Sequence, residues 1–136
     1  MANEAVLVQQ LEDRLFEVTV ADGTAIAKGA ILKFGSDPNT AVISAADGDL
    51  FAGILAVEKV ASDGQTRVPV WRKGVFDILV TASTGSATLG KPVKINGANQ
   101  VTLADDDTVA NSNEVVGIAL ETGSAGEVIN VLVGGV

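Results

Sequence analysis

Three consecutive acids, Asp105-Asp106-Asp107, are the densest cluster of potential acid, base or metal-binding groups in this 136-residue chain. Paired carboxylates can run acid–base chemistry or hydrolyse glycosides. These three stand in LADDDTVANSNE, a polar stretch that reads as a solvated loop, and they lack the spaced oxygen ligands around a Gly turn that an EF-hand requires. Nucleophilic catalysis needs a Ser, Thr or Cys beside a base, and the chain has neither His nor Cys. A Ser–Lys pair is conceivable, but the lysines fall in alternating runs or at turn edges, where they read as solvated charges on an outer face. No Gly-rich phosphate cradle is present. The five aromatics, Phe16, Phe34, Phe51, Trp71 and Phe76, are too sparse for a base-stacking platform and read as core plugs. Trp71, flanked by Arg72 and Lys73, is also a candidate interface anchor, a role for which Trp is favoured. The inventory offers no catalytic residue, no metal ligands and no cofactor site, so the expectation is a protein that is not an enzyme.

The elements that would carry these residues are short β-rich runs. Candidate strands are Leu15–Val20, Ala30–Phe34, Ala41–Ser44, Phe51–Val60, Arg67–Trp71, Val75–Thr81, Pro92–Ile95, Gln100–Leu103, Val115–Glu121 and Val128–Val133. Between them stand Asp22-Gly23, Asp47-Gly48, Asp63-Gly64 and Asn96-Gly97, pairs that tolerate the positive φ of tight turns. Many short strands at this spacing predict an all-β barrel or sandwich. Only Glu4–Leu15 could form a short helix, or else an extended arm.

Two stretches echo one another: GTAIAKGAILKFG, Gly23 to Gly35, and GSATLGKPVKING, Gly85 to Gly97. Gly23 matches Gly85, Lys33 matches Lys94, Gly53-Ile54 matches Gly117-Ile118, Gly64 matches Gly126 and Gly74-Val75 matches Gly135-Val136, at offsets of 61 to 64 residues. Two copies are too few for a repeat array. The order of landmarks predicts two similar halves, about 18–75 and 80–136, each covering the other's apolar face within one β domain, residues 15–136. Residues 1–14 are then an N-terminal arm. Val6, Leu7, Val8 and Leu11 make that arm too apolar to lie idle in water, and together with Phe16 and Trp71 they are the candidate binding residues, with addition to a neighbouring sheet edge as the expected mode.

The formal net charge of -8 opposes contact with phosphate backbones, so no nucleic-acid partner is expected. Apolar residues reach 47%, enough for a core and for subunit contacts. No apolar run approaches the ~20 residues of a spanning helix, so no membrane partner is expected. The N-terminus lacks the basic lead-in of a secretory signal, which predicts synthesis in the cytoplasm without processing.

Two resemblances bear on function. GDLFAGILAVEKVASDG, Gly48 to Gly64, is similar to the lysine hairpin of lipoyl and biotinyl carrier domains, which would make Lys59 the modified residue. Against that, the matching LETGSAG of the second half has no Lys, and Glu58-Lys59 also reads as an ordinary surface pair. Over about Phe16 to Val133 the chain resembles the small head decoration (cement) proteins of tailed bacteriophages. FAGILAVEKVA followed by the WRKGVFDI strand, and VVGIALETG near the end, carry that resemblance. It implies a β-rich protein on the outside of the virion, bound to the major capsid protein, commonly as a homotrimer that stabilises the shell. Other readings are a different virion binding module, such as a head fibre base or host adhesin, and the carrier domain.

Overall fold

The computed structural model describes residues 3–9, 16–104 and 114–134, and every described element is β. Leu11 and the Asp105–Asp107 cluster lie outside the described residues.

In the first half, β2 (Phe16–Thr19), β3 (Ile31–Phe34), β4 (Ala41–Ile43), β5 (Phe51–Leu55) and β6 (Arg67–Trp71) pair in the order β2-β6-β5-β3-β4. A parallel bridge between Thr19 and Thr40 closes the ring. In the second half, β7 (Gly74–Val80), β9 (Pro92–Ile95), β10 (Gln100–Leu103), β11 (Val115–Ala119) and β13 (Val128–Val133) pair in the order β7-β10-β9-β11-β13. Here β13 also pairs β7 antiparallel over Val128–Val133 and Gly74–Leu79, so this ring closes too. The parallel contact recurs at the corresponding place, Val80 with Val101. Two-residue strands β8 (Ser86–Ala87) and β12 (Gly123–Ser124) pair with each other, and their counterpart in the first half is the single bridge between Ile26 and Lys59.

The sequence expectation of two halves covering one another gives way to two small barrels, each filled from within. One core holds Val18, Val20, Ile26, Leu32, Leu55, Val68 and Val70. The other holds Phe76, Ile78, Val80, Val93, Ile95, Val101, Ile129 and Val131. The physical reason lies in β5, all five of whose residues are buried. Gly53 adopts a φ of 150°, and a Cβ there would stand 2.7 Å from Val70 Cγ2. The strand changes face at that glycine. Ala52 and Leu55 fill the first barrel, whereas Phe51 and Ile54, with Ile31 of β3, join the second core and form the seam. Alternation breaks where one strand must serve two cores.

Polar groups lock the same seam. Buried Asn99 accepts from Ile31 N–H at 2.8 Å, and its own N–H donates to Ser44 Oγ at 3.1 Å. Ser44 Oγ donates in turn to the Gly97 carbonyl at 3.1 Å. The two echoed lysines both reach the turn between β4 and β5: Lys33 pairs with Asp49 at 3.4 Å and Lys94 with Asp47 at 2.9 Å. Burial opposes the charge on Asp49, yet the N–H groups of Ala45 and Ala46 and the Lys33 ammonium outweigh it and hold the carboxyl below its usual range.

Candidate functional site

A search for chemistry begins with buried ionisable groups, and Lys59 is the foremost. Its side chain is 0% exposed, which corrects the expectation of a surface pair with Glu58. The bridge to Ile26 turns Lys59 inward. Its ammonium donates to Asp22 Oδ1 at 2.9 Å, Asp63 Oδ1 at 2.5 Å and the Val60 carbonyl at 2.7 Å. Asp22 Oδ1 also accepts from Gly64 N–H, and Asp63 Oδ1 from Gln65 N–H. Burial pulls the ammonium toward neutrality, but the bonds to the two carboxylates prevail and raise its pKa above the ordinary 10.5. The Lys59 bond in turn lowers both carboxyls below 3.8, with help from Gly64 N–H at Asp22 and Gln65 N–H at Asp63. This cation is a staple between two Asp-Gly turns. It has no spare lone pair for catalysis and no exposure for acylation, which argues against the carrier reading. A sequence signal for it existed in the two Asp-Gly turns around a strand-borne Lys.

Among the described residues no cluster of three or more His, Cys, Asp or Glu side chains could hold a metal ion. No helix of the described residues is long and apolar enough to cross a membrane.

The candidate binding residues converge in part. Ala5 N–H donates to the Gly29 carbonyl at 2.6 Å, and the arm then runs on as β1 (Val6–Gln9) along β7. Val6 stands opposite Asp77 and Leu7 opposite Phe76. The arm is therefore a strand, and it adds to the sheet of its own chain, where the sequence reading had a neighbouring one. β7 offers a free edge beside its short contact with β10, and Ala5 is small enough to sink into the second core. Val6, Leu7 and Trp71 line one open groove with Glu4, Lys28 and Ala56. Trp71 is half-buried and packs against the second core. Val8, 53% exposed, and Phe16, 46% exposed, do not line that groove.

Of the five aromatics read as core plugs, Phe51 and Phe76 are buried, but Phe34 and Phe16 are 43% and 46% exposed, each at an end of a strand where the side chain faces away from the core. Further exposed apolar side chains were not singled out in the sequence: Leu89 and Leu120, together with Val42, Leu50, Val57, Val60, Leu103 and Val128. Periodicity could not find them, because each lies in or beside a run that also feeds a core. A surface with this many open aliphatic side chains is suited to contacts with other proteins. The sequence model of the phage cement protein family matches residues 9–135. The chain belongs to that family. Cement proteins are structural parts of the phage capsid, which accords with a surface rich in exposed apolar side chains. No curated protein matches the chain.

Proposed function

We propose that this cement protein is non-enzymatic, binds the outer surface of the assembled phage head as a homotrimer in contact with the major capsid protein, and stabilises the shell. The family match over residues 9–135 carries this reading. The exposed aliphatic side chains support it, because a stable contact buries about 800 Å² on each partner and needs such residues at its centre. The work is thermodynamic. A protein that binds the intact shell but not its opened state stabilises the shell by about 2.7 kcal/mol per site when free protein is a hundredfold above Kd. Net charge -8 keeps the decorated surface from drawing in nucleic acid.

The test is co-sedimentation of purified protein with expanded, undecorated heads of its own phage, with light scattering of the free protein. Saturable binding and a mass three times that of one chain are expected, with heads that resist heat better when decorated. No binding to expanded heads would overturn the reading. Val6→Glu with Val8→Glu tests the arm's share: both side chains are exposed, so the fold should survive while attachment weakens.

A further inference from the structure

The hairpin between β9 and β10 carries a side chain poised to react with its own backbone. An asparagine loses its amide when the nitrogen of the next residue closes on the side-chain carbonyl carbon. A Cβ on that next residue hinders the approach. Among the described asparagines, Asn3, Asn39, Asn99 and Asn130 precede Glu4, Thr40, Gln100 and Val131. All four followers have a Cβ, and Thr40 and Val131 are branched there. Only Asn96 precedes a glycine, Gly97. Outside the described residues, Asn111 precedes Ser112 and Asn113 precedes Glu114.

Hydrogen bonding separates Asn96 a second time. Asn99 Oδ1 accepts from Ile31 N–H at 2.8 Å, and Asn130 Nδ2 donates to Asp77 Oδ1. Neither side chain can turn onto the following nitrogen without losing its bond. The Asn96 side chain has no partner among the described residues, and it is half-buried, so water reaches it. Its main chain is held instead: Asn96 N–H donates to the Gln100 carbonyl at 3.0 Å, and the Asn96 carbonyl accepts from Thr81 Oγ at 2.9 Å. Gly97 N–H meets no acceptor among the described residues. When that proton is lost, amide resonance puts the charge largely on the Asn96 carbonyl oxygen, the atom to which Thr81 donates. The Thr81 hydroxyl also faces the Val101 carbonyl at 3.1 Å, but it has one proton, and the charged oxygen is the stronger acceptor.

We propose that Asn96-Gly97 is a self-modifying site, which converts to aspartate and isoaspartate and so loosens the seam between the two barrels. Gly97 N gives its proton to hydroxide and bonds to Asn96 Cγ. The Cγ–Nδ2 bond breaks, and Nδ2 takes up a proton from water and leaves as ammonia. Water then opens the five-membered imide. Attack at Cγ restores an ordinary main chain with an aspartate, and attack at the main-chain carbonyl leaves a main chain one carbon longer. Nothing is oxidised or reduced. The seam hangs on this turn, because the Gly97 carbonyl accepts from Ser44 Oγ, and Ser44 Oγ in turn accepts from the N–H of buried Asn99. A lengthened main chain moves that carbonyl away from Ser44.

The test is ageing of purified full-length protein at mildly alkaline pH, followed by peptide mapping with mass spectrometry and by thermal melting. Conversion at Asn96 should outrun that at every other described asparagine by about tenfold or more, a barrier lower by about 1.4 kcal/mol. Aged protein should melt lower than fresh protein. Asn96→Gln, whose ring would be six-membered and slower to close, should abolish both changes. Gly97→Ala is a poor block, since it strains a φ of 106°. Thr81→Val should slow conversion several-fold, and Thr81→Ser, which keeps the hydroxyl, should convert like the unaltered protein. A turn merely loosened by Thr81→Val would convert faster. Conversion at Asn96 no faster than elsewhere overturns the site. Conversion without a fall in melting temperature overturns its link to the seam. Thr81→Val converting as fast as the unaltered protein, or faster, overturns the part assigned to the hydroxyl.

Discussion

The two barrels share a strand order and a set of backbone bonds, but differ in what fills equivalent places. Lys59 bridges to Ile26 in the first, where Gly123 pairs with Ala87 in the second. The arm covers Gly29 and leaves Gly90 bare. A single bridge, Thr19 to Thr40, closes the first ring, whereas β7 and β13 seal the second over six residue pairs. The first barrel is thus held by an ionic staple, and the N-terminal arm ties it at Gly29 to β7 of the second. The second is held by its longer strands and larger core. The lesson is that a duplicated backbone fixes where contacts fall, while the side chains decide whether a place becomes a brace or stays bare.

The largest effect should come from the staple. Lys59→Ala removes a buried stem and strands two carboxylates, and a fall in Tm on the order of 10 °C is expected by thermal melting. Gly123→Ala is a poor control, since its Cβ would press on Ile129. Leu120→Ser, on the exposed surface, is the better one and should leave Tm nearly unchanged. The same staple sets the pH response. Asp22 and Asp63 are lowered below 3.8, so their contribution is present above that value and is lost as pH falls through the folded pKa. Lys59 is raised above 10.5, so its contribution is present below that value and is lost as pH climbs through the folded pKa. With no His to titrate, Tm should be flat from about pH 5 to 9 and drop in acid and strong alkali. A marked change in Tm between pH 6 and 8 would contradict the staple's assigned protonation.

Next come the paired glycines. Both substitutions to Ala strain a positive φ, at about 1–3 kcal/mol each. Gly29→Ala must also expel the arm, so it should destabilise more than Gly90→Ala and expose the N-terminal segment to protease. Equal melting and equal proteolysis would refute the difference in occupancy. Smaller again is the seam: Asn99→Ala leaves Ile31 N–H without its acceptor at about 1–3 kcal/mol. Its exposed counterpart Asn39, also at positive φ, should lose less on the same change. The smallest effect is expected at Arg67, whose exposed pair with Glu17 at 3.2 Å contributes about 0–1 kcal/mol. Arg67→Ala should shift Tm by no more than the scatter between replicates.

Much of this architecture was legible because turns announce themselves. Asp22-Gly23, Asp47-Gly48, Asp63-Gly64 and Asn96-Gly97 bound the strands where they were expected. The run Phe51–Val60 was read too long, for β5 ends at Leu55 and the chain then bends. The arm's state was open between helix and extended chain, because its pairing partner, β7, lies some seventy residues away. β8 and β12 are too short for any period to show. Ring closure was invisible for a related reason: a parallel bridge between Thr19 and Thr40 leaves no local pattern. Lys59 was misread because alternation places Glu58 and Lys59 on opposite faces without saying which face is inside. Its partner Asp22 is 37 positions distant. Of the binding candidates, Val6, Leu7 and Trp71 do share a groove.

One strand has a mechanical consequence. β1 and β13 flank β7, both antiparallel to it, and so run in the same direction. The chain enters this three-strand ribbon at one end and leaves it at the other. A force drawing the two termini apart would load the ladders lengthwise, in shear, where many bonds must yield together rather than peel one by one. Under such tension the first ring, which lies in the chain between β1 and β7, bears no load until β1 parts from β7.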